Sequence, residues 1–241
     1  MTEVQIFALV GSIGFVLSFP IPFFARRFDK FLPADPGTAL VRSFHIPRFA
    51  KSKNKRRAKK RTSLWIKLIF GGLKWGAMGA ILASYFLKYE SFIAYFLMIW
   101  ICALLACIDE KIHILPDVLT FPLILSGFFF AANDWIGLAP LDSAVGALMG
   151  FMLPTLTSAL MTPFRPRSLG GGDFKMLAGV GAWLGFQGLV ASILISFAAF
   201  GLISAFKKSK EGPYGASLLI AVIIVMILKD LGYLDSLFVV L

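Results

Sequence analysis

Eight stretches of this chain are apolar, most of them long enough to cross a bilayer: residues 4–24, 64–87, 91–108, 118–132, 143–161, 174–186, 189–206 and 216–228, the sixth and eighth being short. A run of about 20 apolar residues spans the hydrocarbon core as a helix. The expected fold class is therefore an all-α polytopic membrane protein of about eight transmembrane helices. With 58% hydrophobic and 15% charged residues, the chain has lipid for most of its solvent.

The charged residues that remain fall between the runs. Basic loops stay in the cytoplasm, while Asp and Glu contribute little to orientation. Placing the amino terminus outside puts the loop from Arg26 to Arg61, Lys111, Arg165, Arg167 and the lysines of 207–210 inside, and leaves only Lys88 and Lys229 outside. Residues 1–24 read as a retained anchor, because no basic stretch precedes the run and Arg26-Arg27 follows it in place of a small-residue cleavage site. Pro20 and Pro22 are expected to bend or end its last turn. Residues 25–63 read as a basic cytoplasmic loop and 64–241 as a membrane-embedded core. The apolar tail at 234–241 is expected to lie at the interface.

A net charge of +11 raises the possibility of nucleic-acid binding. The basic run at 51–61, however, lacks interleaved aromatics for base stacking and sits beside a span, so anionic lipid headgroups are the expected partner and nucleic acid is not. Cys102 and Cys107 share one apolar run and encode neither a disulfide framework nor a zinc knuckle. No His/Cys/Glu cluster has metal-ligand spacing, and no metal or cofactor is expected. Lys74, within the second run, has Gly71, Gly72 and Gly76 around it, which suggests close helix packing that leaves it room.

Two acids stand where the spans meet the cytoplasm. Asp173 follows Gly170-Gly171-Gly172 at the mouth of the sixth run, and Asp109 ends the third. A charge at the centre of a membrane helix costs about 2.5–3.5 kcal/mol on insertion scales, so acids this near hydrocarbon are kept mainly for use. The plainer reading of Asp173 is a helix cap in a glycine-rich turn. Asp109 has no such alternative, since at a helix carboxyl end it meets the wrong end of the dipole, at about 0.3–1 kcal/mol. Asp117, after Pro116, fits a helix start where its side chain satisfies orphan N–H groups. His113 reads as a water-exposed loop residue. Two adjacent carboxyls sharing one proton supply both a base for water and an acid for a carbonyl, which is what peptide hydrolysis requires.

These residues resemble the type IV prepilin peptidases, bacterial membrane aspartic proteases of the Gly-x-Gly-Asp class. The stretch from Gly170 to Ala178, followed by Gly181-Ala182-Trp183-Leu184-Gly185, is similar to the family's second signature, and Ile108-Asp109 through Leu115-Pro116-Asp117 and Leu119-Thr120 to its first. Gly212-Pro213-Tyr214-Gly215 looks like a late turn of the family, and Gly11-Ser12 is also family-like. The resemblance implies Asp109 and Asp173 as catalytic aspartates, with Gly170, Gly172, Lys175 and Asp117 as motif or substrate-binding positions. It implies cleavage, at the cytoplasmic face of a bacterial inner membrane, of prepilins or pseudopilins of pilus or type II secretion systems, after the Gly that ends a short basic leader. Lys175 then orients the pair or a substrate carboxylate, or simply snorkels to the interface.

Many members of the family carry paired Cys-x-x-Cys motifs in the first cytoplasmic loop and add N-methylation to cleavage. This chain has no cysteine between Phe24 and Leu64, so neither zinc nor methyltransferase activity is expected of it. The alternative is a small ion- or proton-coupled transporter with Asp109, Asp173 and Lys74 along its path, though neither a repeat nor a midplane carboxylate is evident. A third reading, a membrane anchor that docks an assembly machine on its basic loop, makes that loop essential and the aspartates dispensable.

Overall fold

The structure, a computed structural model, describes residues 3–31, 43, 55–86, 91–161, 170–207 and 214–233. Among these residues helix is the one regular element, with no strand: α1 (Glu3–Ser18), α2 (Ile21–Phe31), α3 (Lys55–Phe86), α4 (Phe92–Ile112), α5 (Asp117–Ala132), α6 (Pro140–Met161), α7 (Gly171–Lys207) and α8 (Tyr214–Asp230). Lys88, Arg165, Arg167, residues 51–54, 168–169, 208–210, 212–213 and the tail at 234–241 lie outside the described residues.

Among the described residues five helical segments are long and apolar enough to cross a membrane: Gln5–Asp29, Ile66–Tyr85, Phe92–Ile112, Pro140–Leu160 and Gly171–Ala205, with Asp117–Ala132 a shorter apolar helix. The chain is a multi-pass all-α membrane protein. Gly171–Ala205 contains two of the apolar runs read from the sequence. They meet at Gly185, whose φ of 70° and ψ of −176° interrupt the helix. Only glycine takes that conformation readily. The chain reverses there, because Leu177 before the break and Leu194 and Phe197 after it line one cavity. A straight helix rising about 1.5 Å per residue would hold Leu177 and Phe197 far apart. The turn expected near Gln187 and Gly188 thus lies slightly earlier.

Contacts divide the chain into two units, Met1–Phe92 and Ile93–Leu241. In the first, α1 ends at Ser18 and α2 begins at Ile21, so the chain bends around Pro20. Along α2, Ile21, Ala25 and Phe28 are buried, which is the spacing of one helix face. Small residues bring α1 against α3: a Cβ at Gly14 would lie 2.5 Å from the Gly79 carbonyl oxygen. Lys74 lies on an exposed part of α3, between Gly72 and Gly76, which pack against Phe19 and Phe15. Helix α3 begins at Lys55, inside the basic run. Lys, Arg and Ala are good helix formers, and polarity alone does not end a helix.

In the second unit, α4 is apolar all round and buried on nearly all sides from Met98 to Asp109. Helices α5 and α6 fix the first half of α7. Trp183 Nε1 donates to the Leu123 carbonyl at 2.8 Å and Ser143 Oγ to the Ala182 carbonyl at 2.6 Å. At Gly150 a Cβ would meet the Leu177 carbonyl oxygen at 2.5 Å, so α6 and α7 cross nearly backbone to backbone. These contacts set the position of the α7 amino terminus, where Asp173 stands.

Candidate active site

Asp109 occupies the last full turn of α4, which continues to Ile112. It is only 5% exposed. His113 closes the helix in the left-handed region, φ 53°, with its N–H donating to the Asp109 carbonyl at 2.9 Å, and its side chain is exposed. The Asp109 carboxylate opposes the dipole of its own helix, but it does so beneath the amino terminus of another. The backbone N–H of Gly215, in the first turn of α8, donates to Asp109 Oδ2 at 2.8 Å in a buried contact. One of the orphan N–H groups of α8 is thereby satisfied, and the positive end of that helix offsets the unfavourable end of α4. Glycine lets the two helices come this close, since a Cβ at Gly215 would stand 3.0 Å from Asp109 Oδ2 and 3.3 Å from the Ala106 Cα.

Asp173 lies in the first turn of α7. Its N–H donates to the Gly170 carbonyl at 3.1 Å, while the Gly170 N–H donates back to Asp173 Oδ2, also at 3.1 Å. The second bond is one half of a capping box, an acid in the first turn reaching back to the N–H of the residue before the helix; the first is a backbone turn bond. Asp173 therefore does cap its helix, and the role occupies only one carboxylate oxygen. Gly171 has open space around it and a Cβ at Gly170 would lie in ordinary contact with Asp173 Oδ2 at 3.4 Å, whereas Gly172 packs on the loop after α4, where a Cβ would lie 2.8 Å from the Leu115 Cβ. The loop backbone fills the room at Gly172, and the open room beside the acid is at Gly171.

Asp109 and Asp173, far apart in sequence, lie within reach of each other's charge. Tyr214 lies within reach of Asp173 and shares a hydrogen bond with Ser196 Oγ. Among the described residues each carboxylate has one oxygen held by a backbone N–H and one without a protein partner. Among the described residues the enclosed, unpartnered side-chain atoms are the hydroxyls of Ser192 and Ser217, and neither free carboxylate oxygen is among them. Such a pair can hold water and a carbonyl between an acid and a base. Among the described residues no three His, Cys, Asp or Glu side chains come together as metal ligands do.

Lys175 and Asp117 meet at one edge of this cluster. Lys175 Nζ lies 2.6 Å from Asp117 Oδ1 and 5.6 Å from the centre of the Phe121 ring, tying α7 to α5. The helix cap of α5 is Pro116, in extended conformation, and Asp117 makes no side-chain cap bond. Asp117 instead sits in the first turn, favourably placed for the dipole, and turns its carboxylate to Lys175. Sequence reasoning did not assign Gly215 or Tyr214 to the site. The stretch 212–215 was marked only by its likeness to a family turn, and a backbone N–H leaves no side-chain signal.

Residues 96–206 match the model of the Type IV leader peptidase family. Similar proteins include three named prepilin leader peptidase/N-methyltransferase. That of Aeromonas salmonicida (strain A449) is 38% identical over 138 residues, covering 54% of this chain and 47% of the relative. That of Neisseria gonorrhoeae is 34% identical over 132 residues, covering 52% and 45%. That of Xanthomonas campestris pv. campestris is 32% identical over 158 residues, covering 62% and 50%. The chain spans about half the length of the curated relatives it matches. No solved structure matches it. The transporter reading gains no support from these similarities.

Proposed function

We propose, for a chain whose residues 96–206 match the model of the Type IV leader peptidase family, that it is an aspartic endopeptidase that removes the short basic leader of prepilins or pseudopilins. The observation that carries the reading is the pairing of Asp109 with the Gly215 N–H at 2.8 Å, beside an Asp173 held in the same one-sided way. One carboxylate takes a proton from water, whose oxygen bonds to the scissile carbonyl carbon. The other, protonated, donates to the carbonyl oxygen. In collapse of the tetrahedral species the C–N bond breaks and the leaving amine takes up a proton from the pair. The shared proton belongs to the pair as a whole.

The proposed setting is a bacterial inner membrane with the amino terminus outside and the carboxylates at the cytoplasmic face. The substrate is cut after a Gly, ahead of its hydrophobic helix. Attraction of the basic leader and the basic run at 51–61 to the same anionic lipid brings the two together. The relatives' names include N-methyltransferase. With no cysteine between Phe24 and Leu64, we assign this chain cleavage without methylation.

The test is incubation of the purified full chain in lipid with a prepilin-like substrate and S-adenosylmethionine, followed by mass spectrometry of the products. The reading predicts a single cut after the leader Gly, no added methyl mass, and no product from Asp173→Asn. Unchanged cleavage by a normally inserted Asp173→Asn rules out the mechanism, and a methylated product rules out the restriction to cleavage.

A further inference from the structure

Gly215 lets α8 approach Asp109, and the same lack of a side chain makes it a poor anchor. Glycine gives up more conformational freedom in a helix than any other residue and has nothing to pack against a neighbour. It is also the second residue of α8, in the turn whose N–H groups have no partner within the helix. An N–H that meets Asp109 Oδ2 from there at 2.8 Å has to be fixed by the residues around it.

Tyr214 supplies that anchor. It opens α8, is buried, and lies against the part of α7 that follows the break at Gly185. Its ring packs on Phe197 and Phe200 of that segment, with centroids 5.8 and 6.4 Å away, which is within the range of favourable aromatic pairs. Its hydroxyl is hydrogen-bonded to Ser196 Oγ in a buried contact. A count of hydrogens gives the direction of that bond. Ser196 has one hydroxyl proton and donates it to the Ile193 carbonyl at 2.8 Å, so the Tyr214 hydroxyl is the donor and Ser196 Oγ the acceptor. An ordered line thus runs from the Ile193 carbonyl through Ser196 and Tyr214 to the residue that binds Asp109. Ser192, one turn before Ser196, and Ser217, one turn after Tyr214, are buried with unpartnered hydroxyls. The tie is made at the head of α8 and is not repeated by these two.

We infer that Tyr214 and Ser196 are positioning residues for the reaction: the bond from the Tyr214 hydroxyl to Ser196 Oγ fixes the head of α8 so that the Gly215 N–H stays on Asp109. The assignment rests on the peptidase reading. Both side chains act through the Gly215 backbone, which holds an acid and not the substrate. Their loss therefore falls on kcat and not on KM. It also overlaps with the loss from impairing the Gly215 contact directly, because residues in one network are not additive.

The experiment uses the full chain in lipid and measures kcat and KM on a prepilin-like substrate for wild type, Tyr214→Phe, Gly215→Ala, the double variant and Ser217→Ala, with insertion and melting checked for each. Tyr214→Phe keeps the ring and leaves Ser196 donating to the Ile193 carbonyl, so no buried donor loses its partner. A neutral hydrogen bond is equivalent to about 2- to 13-fold in rate. Tyr214→Phe is expected to lower kcat by a factor in that range with KM little changed. The double variant is expected to stay within about twofold of the slower single variant. Ser217→Ala removes a hydroxyl that has no partner and is expected to keep the wild-type kcat. A wild-type kcat in Tyr214→Phe, a loss confined to KM, losses that multiply in the double variant, or an equal loss in Ser217→Ala each overturn the assignment. So does a Tyr214→Phe chain that fails to insert or melts far below wild type, since the hydroxyl then serves the fold. A wild type that does not cut the substrate overturns the peptidase reading, and this assignment with it.

Discussion

Gly215→Ala probes the contact on which the site depends. The added Cβ would stand 3.0 Å from Asp109 Oδ2, 3.2 Å from the Asp109 Cβ and 3.3 Å from the Ala106 Cα. Two of those neighbours are short, buried parts of α4 with no flexible end to swing away, so the head of α8 must draw back by a few tenths of an ångström. The 2.8 Å hydrogen bond from the Gly215 N–H lengthens by a similar amount. A hydrogen bond to a charged group contributes about 1.5–3 kcal/mol. Losing roughly half of that leaves a deficit of about 0.75–1.5 kcal/mol, about 4- to 13-fold in rate. The loss should fall on kcat with KM little changed, since the bond holds an acid and not the substrate. Fold stability should hold, because Ala is the better helix former by about 0.5–1 kcal/mol. The measurement is steady-state cleavage of a prepilin-like substrate, with a thermal melt in the same detergent. A stable, normally inserted Gly215→Ala enzyme with wild-type kcat would refute the claim that the α8 amino terminus positions Asp109.

The remaining predictions concern the salt bridge, proton balance and helix packing. Asp117→Asn removes a pair whose side chains are 30% and 53% exposed; such pairs contribute about 0–1 kcal/mol, so cleavage should stay within a few-fold of wild type, and a loss like that expected for Asp109→Asn or Asp173→Asn would assign Asp117 to the chemistry. The rate should follow a bell-shaped pH profile: it falls at low pH as the pair gains a second proton and the base is lost, and at high pH as its one proton leaves and the acid is lost. A kcat that rises to a plateau with pH would contradict a shared proton. Gly150→Ala puts a methyl 2.5 Å from the Leu177 carbonyl oxygen and 2.9 Å from the Ala178 Cα. Backbone cannot yield there, so a destabilisation of about 1–3 kcal/mol is expected in thermal melts.

The parts of this molecule visible in its sequence are those written in side chains. Apolar length marks the helices, and the two acids stand out because charge is scarce near hydrocarbon. The break at Gly185 was placed close by, but several glycines cluster there and only backbone conformation distinguishes the one with φ 70°. The start of α3 within the basic run was hidden because charge pattern reports on solvent, not on helix ends. Asp117 looked like a cap because Pro-Asp so often opens a helix, but the tertiary partner Lys175 decides where its carboxylate goes. Asp109 seemed uncompensated against its own helix dipole. Its compensation comes from a backbone N–H more than a hundred residues away, a group every residue but proline carries and no sequence pattern reveals.

The central claim is that Asp109 and Asp173 act as one unit, and comparing the single with the double substitution tests it most directly. Asp109→Asn, Asp173→Asn and the double variant would be assayed for single-turnover cleavage of one prepilin-like substrate, with insertion and melting checked for each. A group acting as general acid or base contributes about 10²–10⁴-fold, and members of one catalytic unit lose their contributions together. Each single variant is therefore expected to lose cleavage about as completely as the double. Losses that multiply, or a single variant that keeps the wild-type rate, would contradict the pairing.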